Sequence, residues 1–441
     1  MPNLMRRTFL GVASAMALRG GPGRKVSDTP ALLGGDPVRR KAFPSWPRVA
    51  DADRRNWRDV LEACRWWRRQ GHYVVDFEKA WAKRMGARYV VATANGTSAL
   101  MASLSALEVG PKDEVLTTPN TFIATINAIL AHFALPVFVD TDIETHLMDP
   151  DKIEALITPR TRCILPVHIG GNVCDMDRIR AVARKHGIPV LEDACQAHLA
   201  EWRGKPVSTL GEMGCFSFQK YKNVPGGEAG AVVTNDEKLY RHAYGFHSHY
   251  RTPPNEGRMD PTECRNGINQ RLAEFQAALL LAQMTRMEEN ARTREANAAR
   301  LRELLEDVPG VSPAKMYEGC TRNAWHMFMM RYDREAFAGL PRERFLEAVR
   351  AEGIPVSPGY NRLNQWPFLE NTFKTRMFRA VYTDKEIVAW RERNRCPEND
   401  RLSDEVIWLS QPVMLGAAAD MEDIVLAMKK IQRRAEAIRK A

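Results

Sequence analysis

The chain has 441 residues, 44% of them hydrophobic and 27% charged, with a formal net charge of +10. That is globular composition, long enough for two domains with cores, and no apolar run reaches the length of a membrane span. The positive charge collects in the two tails and has no basic stripe interleaved with aromatics, so it marks a solvated face or steering of an anionic substrate rather than a nucleic-acid surface.

Residues 1–26 read as a targeting segment. Arg6-Arg7-Thr8-Phe9-Leu10 resembles a twin-arginine export signal, followed by a short apolar stretch from Phe9 to Leu18. A basic N-terminal tail on a cytoplasmic protein is the other reading; the first places the protein in the periplasm. Residues 27–56 form a proline-punctuated, extended arm, with Gly34-Gly35-Asp36-Pro37-Val38-Arg39 and Phe43-Pro44-Ser45-Trp46-Pro47. Trp57 to Gln70 reads as an amphipathic helix. Asp76 to Met85 reads as another, ended by Gly86.

From residue 88, short β-branched runs alternate with helical patterns. The strand candidates are Tyr89–Ala92, Glu114–Thr117, Val137–Val139, Cys163–Val167, Val190–Leu191, Cys215–Phe218 and Ala231–Thr234. The helical patterns fall at Ser98–Leu107, Ile123–Phe133, Pro150–Leu156 and Met176–His186. This alternation predicts an α/β fold with a mostly parallel sheet covered by helices on both faces. Gln270 to Leu305 reads as one long helix leading to a second, smaller α/β domain. The predicted limits are residues 57–290 for the large domain and 291–441 for the small one. Residues 366–400 show no clear period.

Chemistry concentrates beyond the carboxyl ends of the strand candidates, where such sheets bind ligands. Asn95-Gly96-Thr97-Ser98 follows a strand and opens a helix, so its free N–H groups can seat a phosphate or simply cap the helix. Thr118-Pro119-Asn120-Thr121-Phe122 follows the next strand. In Val190-Leu191-Glu192-Asp193-Ala194-Cys195-Gln196-Ala197-His198 an apolar strand ends in a carboxylate at the sheet edge. His168 ends the strand at Pro166-Val167-His168, facing substrate or serving the core. Cys215-Phe216-Ser217-Phe218-Gln219-Lys220-Tyr221-Lys222 runs into the glycine-rich loop Gly226-Gly227-Glu228-Ala229-Gly230. A lysine between two buried strands sheds solvation, which lowers its pKa and makes it a usable nucleophile. His247, His249, Tyr250 and Arg251 are candidates for contact with a polyhydroxylated or phosphorylated substrate. No third ligand joins the two histidines, and the eight cysteines contain no C-x-x-C pair, so no metal site is expected.

Taken together these segments resemble the DegT/DnrJ/EryC1/StrS family of sugar aminotransferases, across roughly residues 31–435. The run Ser217 to Gly230 resembles its S-F-x-x-x-K-x-x-x-x-G-E-G-G signature, with Ala229 in place of one glycine. Asn266-Gly267-Ile268-Asn269-Gln270-Arg271 resembles its G-x-N-x-R. The resemblance implies a pyridoxal phosphate (PLP) enzyme of fold type I. Lys222 then forms the Schiff base, and Asp193 keeps the pyridine nitrogen protonated so that the ring is an electron sink. Gly96, Thr97 and Ser217 hold the phosphate, Phe122 lies over the ring, and Gln196 lies near the ring hydroxyl. Asn269 comes from a second subunit, which implies a homodimer with shared sites, and Arg271 accompanies it as a substrate contact.

The implied reaction is a ping-pong transfer of an amino group from glutamate or glutamine to a keto-sugar or keto-cyclitol, with Lys222 moving the proton. The Gly34–Arg39 arm and Trp66-Trp67 resemble glutamine-dependent, cyclitol-type members. Two alternatives are a dehydratase of the same family, which has histidine in place of the lysine, and a non-catalytic, regulatory PLP-binding protein. The intact Lys222 and Asp193 argue against both.

Overall fold

The computed structural model describes residues 28–253 and 261–441, so the segment read as an export signal lies outside the described residues. No helix among the described residues is long and apolar enough to cross a membrane.

The central sheet has the predicted mostly parallel order. Tyr89–Thr93, Gly230–Thr234, Met213–Ser217 and Leu191–Asp193 form one four-stranded part. Leu135–Phe138, Glu114–Thr117 and Thr161–Leu165 form a three-stranded part. Parallel bridges Ile164–Val190 and Val167–Asp193 join the two. Only Gly230–Thr234 runs against its neighbours. Strands Met213–Ser217 and Gly230–Thr234, at the centre of the four-stranded part, are buried along their whole length, as a sheet covered on both faces requires.

Helix Tyr73–Met85 packs on one side through Val74, Phe77, Trp81 and Met85, whose spacing makes one buried stripe. The Trp81 ring meets Phe216 and Phe218 edge-on, at 5.1 and 5.0 Å between centroids. Helix Gly96–Ala106 packs on strand Met213–Ser217, and helix Glu237–His247 packs on it in turn.

The predicted helix at Trp57–Gln70 is displaced. The helix is Asp51–Ala63, and it ends where Cys64 takes a left-handed conformation with φ of 51°. Trp66 and Trp67 therefore sit in the following turn. The long pattern Gln270–Leu305 is two helices, Glu274–Met284 and Met287–Leu305.

A second apolar core gathers around an antiparallel sheet of Val311–Pro313, Met327–Tyr332, Val406–Ser410 and Val356–Ser357. Helices Arg342–Ala351 and Ala418–Arg433 cover it. The arm joins this core: Val38 is buried in it, and the Glu352 carboxylate accepts the Ala31 and Val38 N–H groups.

Residues 366–400, which lacked a clear period, fold mostly as short helices. Pro367–Phe373, Arg376–Val381 and Asp384–Arg393 form a third core with the edge strand Leu135–Phe138 and helix Ile123–Ala131. Trp390 Nε1 donates to the Pro136 carbonyl at 2.6 Å, and Asn394 Oδ1 accepts the Phe138 N–H at 2.5 Å. The exposed edge of the sheet is thereby covered.

Candidate active site

A cleft of about 780 Å³ opens at the carboxyl ends of the central strands. Seven of the sequence-predicted residues line it: Gly96, Thr97, Phe122, Asp193, Gln196, Ser217 and Lys222. Each follows or ends a strand, so the parallel order of the sheet brings them together from distant parts of the chain.

Asn95 caps helix Gly96–Ala106 by accepting the Ser98 N–H at 2.8 Å. The N–H groups of Gly96 and Thr97 lie ahead of any helical acceptor and point out of the helix end. Gly96 is packed so closely that a Cβ there would lie 2.7 Å from Ser217 Cβ and 3.0 Å from Cys195 Sγ. Backbone, a positive helix end and two hydroxyls thus converge, which is the chemistry of an anion seat.

Asp193 is buried and held from two sides. Its Oδ2 accepts the Thr125 hydroxyl at 2.8 Å, and its Oδ1 accepts the Cys195 N–H at 3.1 Å. Thr121 donates to Thr125 in turn, at 2.8 Å. Lys222 lies on the loop after Met213–Ser217, and Trp46 Nε1 donates to its carbonyl at 3.0 Å. Burial pulls the Lys222 ammonium below its ordinary pKa, and Cys195 and Asp193 partly offset this. Among the described residues the ammonium makes no ion pair. Phe122 presents its ring to the cleft with 51% of the residue exposed, 5.8 Å from the Tyr360 ring. Gln196 Oε1 accepts the Gly170 N–H at 2.8 Å, and its amide donates to the Tyr360 hydroxyl at 2.9 Å.

The remaining predicted contacts lie elsewhere. His168 does not face the cleft; its neighbour Val167 does. Side chains alternate along a strand, so His168 points to the opposite face, together with Glu192. Its Nδ1 accepts the Cys174 N–H at 3.2 Å, which leaves Nε2–H to donate to Glu192 at 3.1 Å. Glu192 is filled by the N–H groups of Ser208, Leu210 and Gly211 as well. The pair is a brace behind the site.

Asn269, Arg251 and Tyr250 are also outside this cleft. Asn269 is exposed and bridges to Ser248, and Arg271 bridges to Thr93. The Tyr250 hydroxyl bonds His242 Nδ1 at 2.7 Å, and Arg251 lies 5.9 Å from the Trp67 ring. His198 is buried against Trp81, Phe216 and Phe218, so it packs the core beside the site. Among the described residues no group of three or more His, Cys, Asp or Glu is placed to hold a metal ion.

Several wall residues escaped the sequence reading, among them Trp46, His326, Tyr360 and Gln411. Trp46 comes from the arm and the other three from beyond residue 320, each from a different loop or strand. Only the proline-flanked Trp46 and Asn323-Ala324-Trp325-His326 carried any signal, a polar residue breaking into an apolar run. His326 is a neutral imidazole, because burial first and Lys222 next hold it well below the ordinary histidine pKa. Asn223 Nδ2 donates to the Ala324 carbonyl, so its Oδ1 takes the His326 Nδ1–H at 3.1 Å. His326 Nε2 is then left as an acceptor.

Comparison with known proteins gives a consistent picture. Residues 48–427 match the model of the DegT/DnrJ/EryC1/StrS aminotransferase family. The chain is 36% identical over 418 residues to an L-glutamine:2-deoxy-scyllo-inosose aminotransferase of Streptomyces fradiae, covering 91% of this chain and 97% of that protein. It is 34% identical over 387 residues to 3-amino-5-hydroxybenzoate synthase of Amycolatopsis mediterranei, covering 87% of this chain and 96% of that protein. Among solved structures it resembles 3-amino-5-hydroxybenzoic acid synthase, with a TM-score of 0.79 and 33% identity over 91% of this chain and all of that one. DesI, solved in the presence of its TDP-sugar product, follows with a TM-score of 0.74, 27% identity, and coverage of 93% of this chain and 97% of that one.

Proposed function

The chain belongs to the DegT/DnrJ/EryC1/StrS aminotransferase family, and we propose that it moves an amino group from glutamine or glutamate to a keto-cyclitol, or to a keto-sugar, by two alternating half-reactions. It is a PLP-dependent enzyme, and the residues of the cleft fit that cofactor. Gly96, where no Cβ has room, sits with Thr97 and Ser217 at the positive end of a helix and suits the phosphate. Asp193, fixed by Thr125 and Cys195, suits a protonated pyridine nitrogen. Phe122 and Gln196 suit the ring and its hydroxyl. The cofactor, when bound, supplies an electron sink for the carbanion left by proton removal.

The chain supplies the rest. Lys222 has the desolvated amine that can hold the cofactor, then take the proton from the donor's α-carbon and, in the second half-reaction, deliver one to the acceptor carbon that gains the nitrogen. Asp193 keeps a fixed negative charge where positive charge is needed. The presence of Lys222 disfavours a dehydratase, and its placement in one cleft with Asp193 is the observation that carries the reading.

The cyclitol preference is drawn from the relatives' names. The test is a screen of keto-inositols against nucleotide keto-sugars, each with glutamine and glutamate, following amino product by mass. Preference for a nucleotide keto-sugar would overturn the cyclitol reading. No amino product from any pair would overturn the transferase reading.

We also propose a homodimer. Asn269 is exposed, and Val49, Trp57 and Leu61 form an exposed apolar groove beside the Lys220–Gly227 loop. The family resemblance expects Asn269 and Arg271 of a second copy to reach this cleft. Sedimentation gives the test, a dimer mass being expected and a monomer contradicting it. Export by way of Arg6 and Arg7 is a proposal from sequence. A reporter fused after residue 40 should reach the periplasm and, with both arginines replaced by lysine, should not.

A further inference from the structure

An amino-acid donor brings a carboxylate into the cleft, whereas a ketonic polyol brings none. The charged residues that line the cleft are Asp193, Glu228 and Lys222. Two of these repel a carboxylate, and the third is the amine the chemistry uses.

Directly behind the wall lies Arg294, 1% exposed, on helix Met287–Leu305. Other buried arginines of this chain have acids. Arg68 pairs with Glu78 at 3.0 Å, and Arg39 pairs with Asp420 at 2.6 Å and Asp423 at 3.0 Å. Arg294 makes no ion pair among the described residues. Its Nε and Nη2 both donate to Oε1 of Gln411, at 3.0 and 2.5 Å, and its guanidinium carbon lies 5.3 Å from the Trp46 ring centroid. Burial, with Arg48 adding like charge, draws its pKa down to about 9. It stays charged at neutral pH, and the charge is uncompensated.

Two charged N–H groups on one oxygen fix the amide of Gln411. Its NH2 end turns away from Arg294 and reaches the Tyr221 carbonyl only at 3.4 Å. Gln411, Tyr221 and Trp46 all line the cleft. A guanidinium polarising an amide makes that NH2 a stronger donor. A buried cation without an acid is relieved by any ligand that carries negative charge to the wall.

We propose that Arg294, acting through the Gln411 amide, binds the carboxylate of the amino-acid donor and so separates donor from neutral acceptor in a shared cleft. This rests on the aminotransferase reading above. Arg294 is a positioning residue and Gln411 the group in contact.

The test uses the PLP-loaded protein and two unreactive probes, glutarate for the donor and scyllo-inositol for the acceptor, titrated by calorimetry. Gln411→Glu still offers Arg294 an oxygen pair, but neutralises it and sets a carboxylate on the wall. It should weaken glutarate by about tenfold or more and leave inositol within about twofold. In the separated half-reactions the donor KM should rise and the ketone KM should not. Arg294→Lys, which keeps the charge but loses the two-pronged grip, should fall between wild type and Gln411→Glu, and carries the test should Gln411→Glu not fold. Unchanged glutarate affinity in a folded variant, equal weakening of both probes, or failure of the wild type to bind glutarate would each overturn the proposal. Amino transfer by the wild type together with any of these results sinks this proposal alone. Absence of amino transfer by the wild type sinks the reading beneath it.

Discussion

Lys222 and Asp193 line one cleft, near enough for the carboxylate to raise the pKa of the ammonium, yet they form no ion pair. Opposite charges at a buried site would close on each other if nothing held them apart. Here Thr125 and Cys195 hold the acid, and Trp46 holds the lysine backbone. Asp193→Asn keeps the shape and loses the charge. The variant should fold and bind PLP, while kcat in the donor half-reaction falls about 100-fold or more. A fall of less than about tenfold, measured by stopped flow, would remove Asp193 from its assigned place.

Gly96→Ala tests the anion seat. The added Cβ meets Ser217 Cβ at 2.7 Å and Cys195 Sγ at 3.0 Å, so the helix end must shift. PLP affinity should drop about tenfold or more by equilibrium dialysis, since a rigid donor set loses its alignment. Unaltered affinity would place the phosphate elsewhere.

Acid should unfold the protein through its buried histidines. His146 and His198 are pushed down to about 3 by burial, with Arg331 and Lys222 respectively adding to the effect. Their folded pKa lies below the unfolded value near 6.5, so the stability is fully present above pH 6.5 and is lost as pH falls toward 3. Each contributes a slope of about 1.4 kcal/mol per pH unit within that window. Guanidinium midpoints measured from pH 8 to 5 should be flat at first and then decline. His198→Phe should make the decline shallower.

The clasp on the arm is a buried pair. Lys430 Nζ lies 2.9 Å from Glu352 Oε2 with both side chains fully buried, and Glu352 also accepts the Ala31 and Val38 N–H groups. Glu352→Gln leaves the ammonium without its acid and should cost about 3–5 kcal/mol by denaturant melts. The same change should speed proteolysis between residues 31 and 50. Equal proteolysis rates would show that the arm is held by other contacts.

The parts of the site that the sequence reveals are those attached to strand ends. Asp193, Ser217 and Lys222 follow apolar runs whose period and glycine punctuation are local, so their placement can be read along the chain. His168 shows the limit of that logic: the strand end was legible, but the face was not. Only the pairing of Val167 with Asp193 assigns His168 and Glu192 to the far side. Trp46, Tyr360, His326 and Gln411 come from loops and strand ends whose role depends on how the second core sits against the first. Residues 366–400 lacked a clear period because short helices cover an edge strand through scattered residues such as Trp390 and Asn394. The helix at residues 57–70 failed at Cys64, whose left-handed turn has no sequence signal of the glycine kind.

The central claim is that Lys222 is the amine that carries the cofactor. Borohydride reduction of the PLP-loaded protein, followed by peptide mapping, reads this directly. The mass of the reduced cofactor should fall on Lys222, leave Lys220 untouched, and vanish together with the visible absorbance in Lys222→Ala. Label on Lys220, or on any residue outside the cleft, would contradict the account.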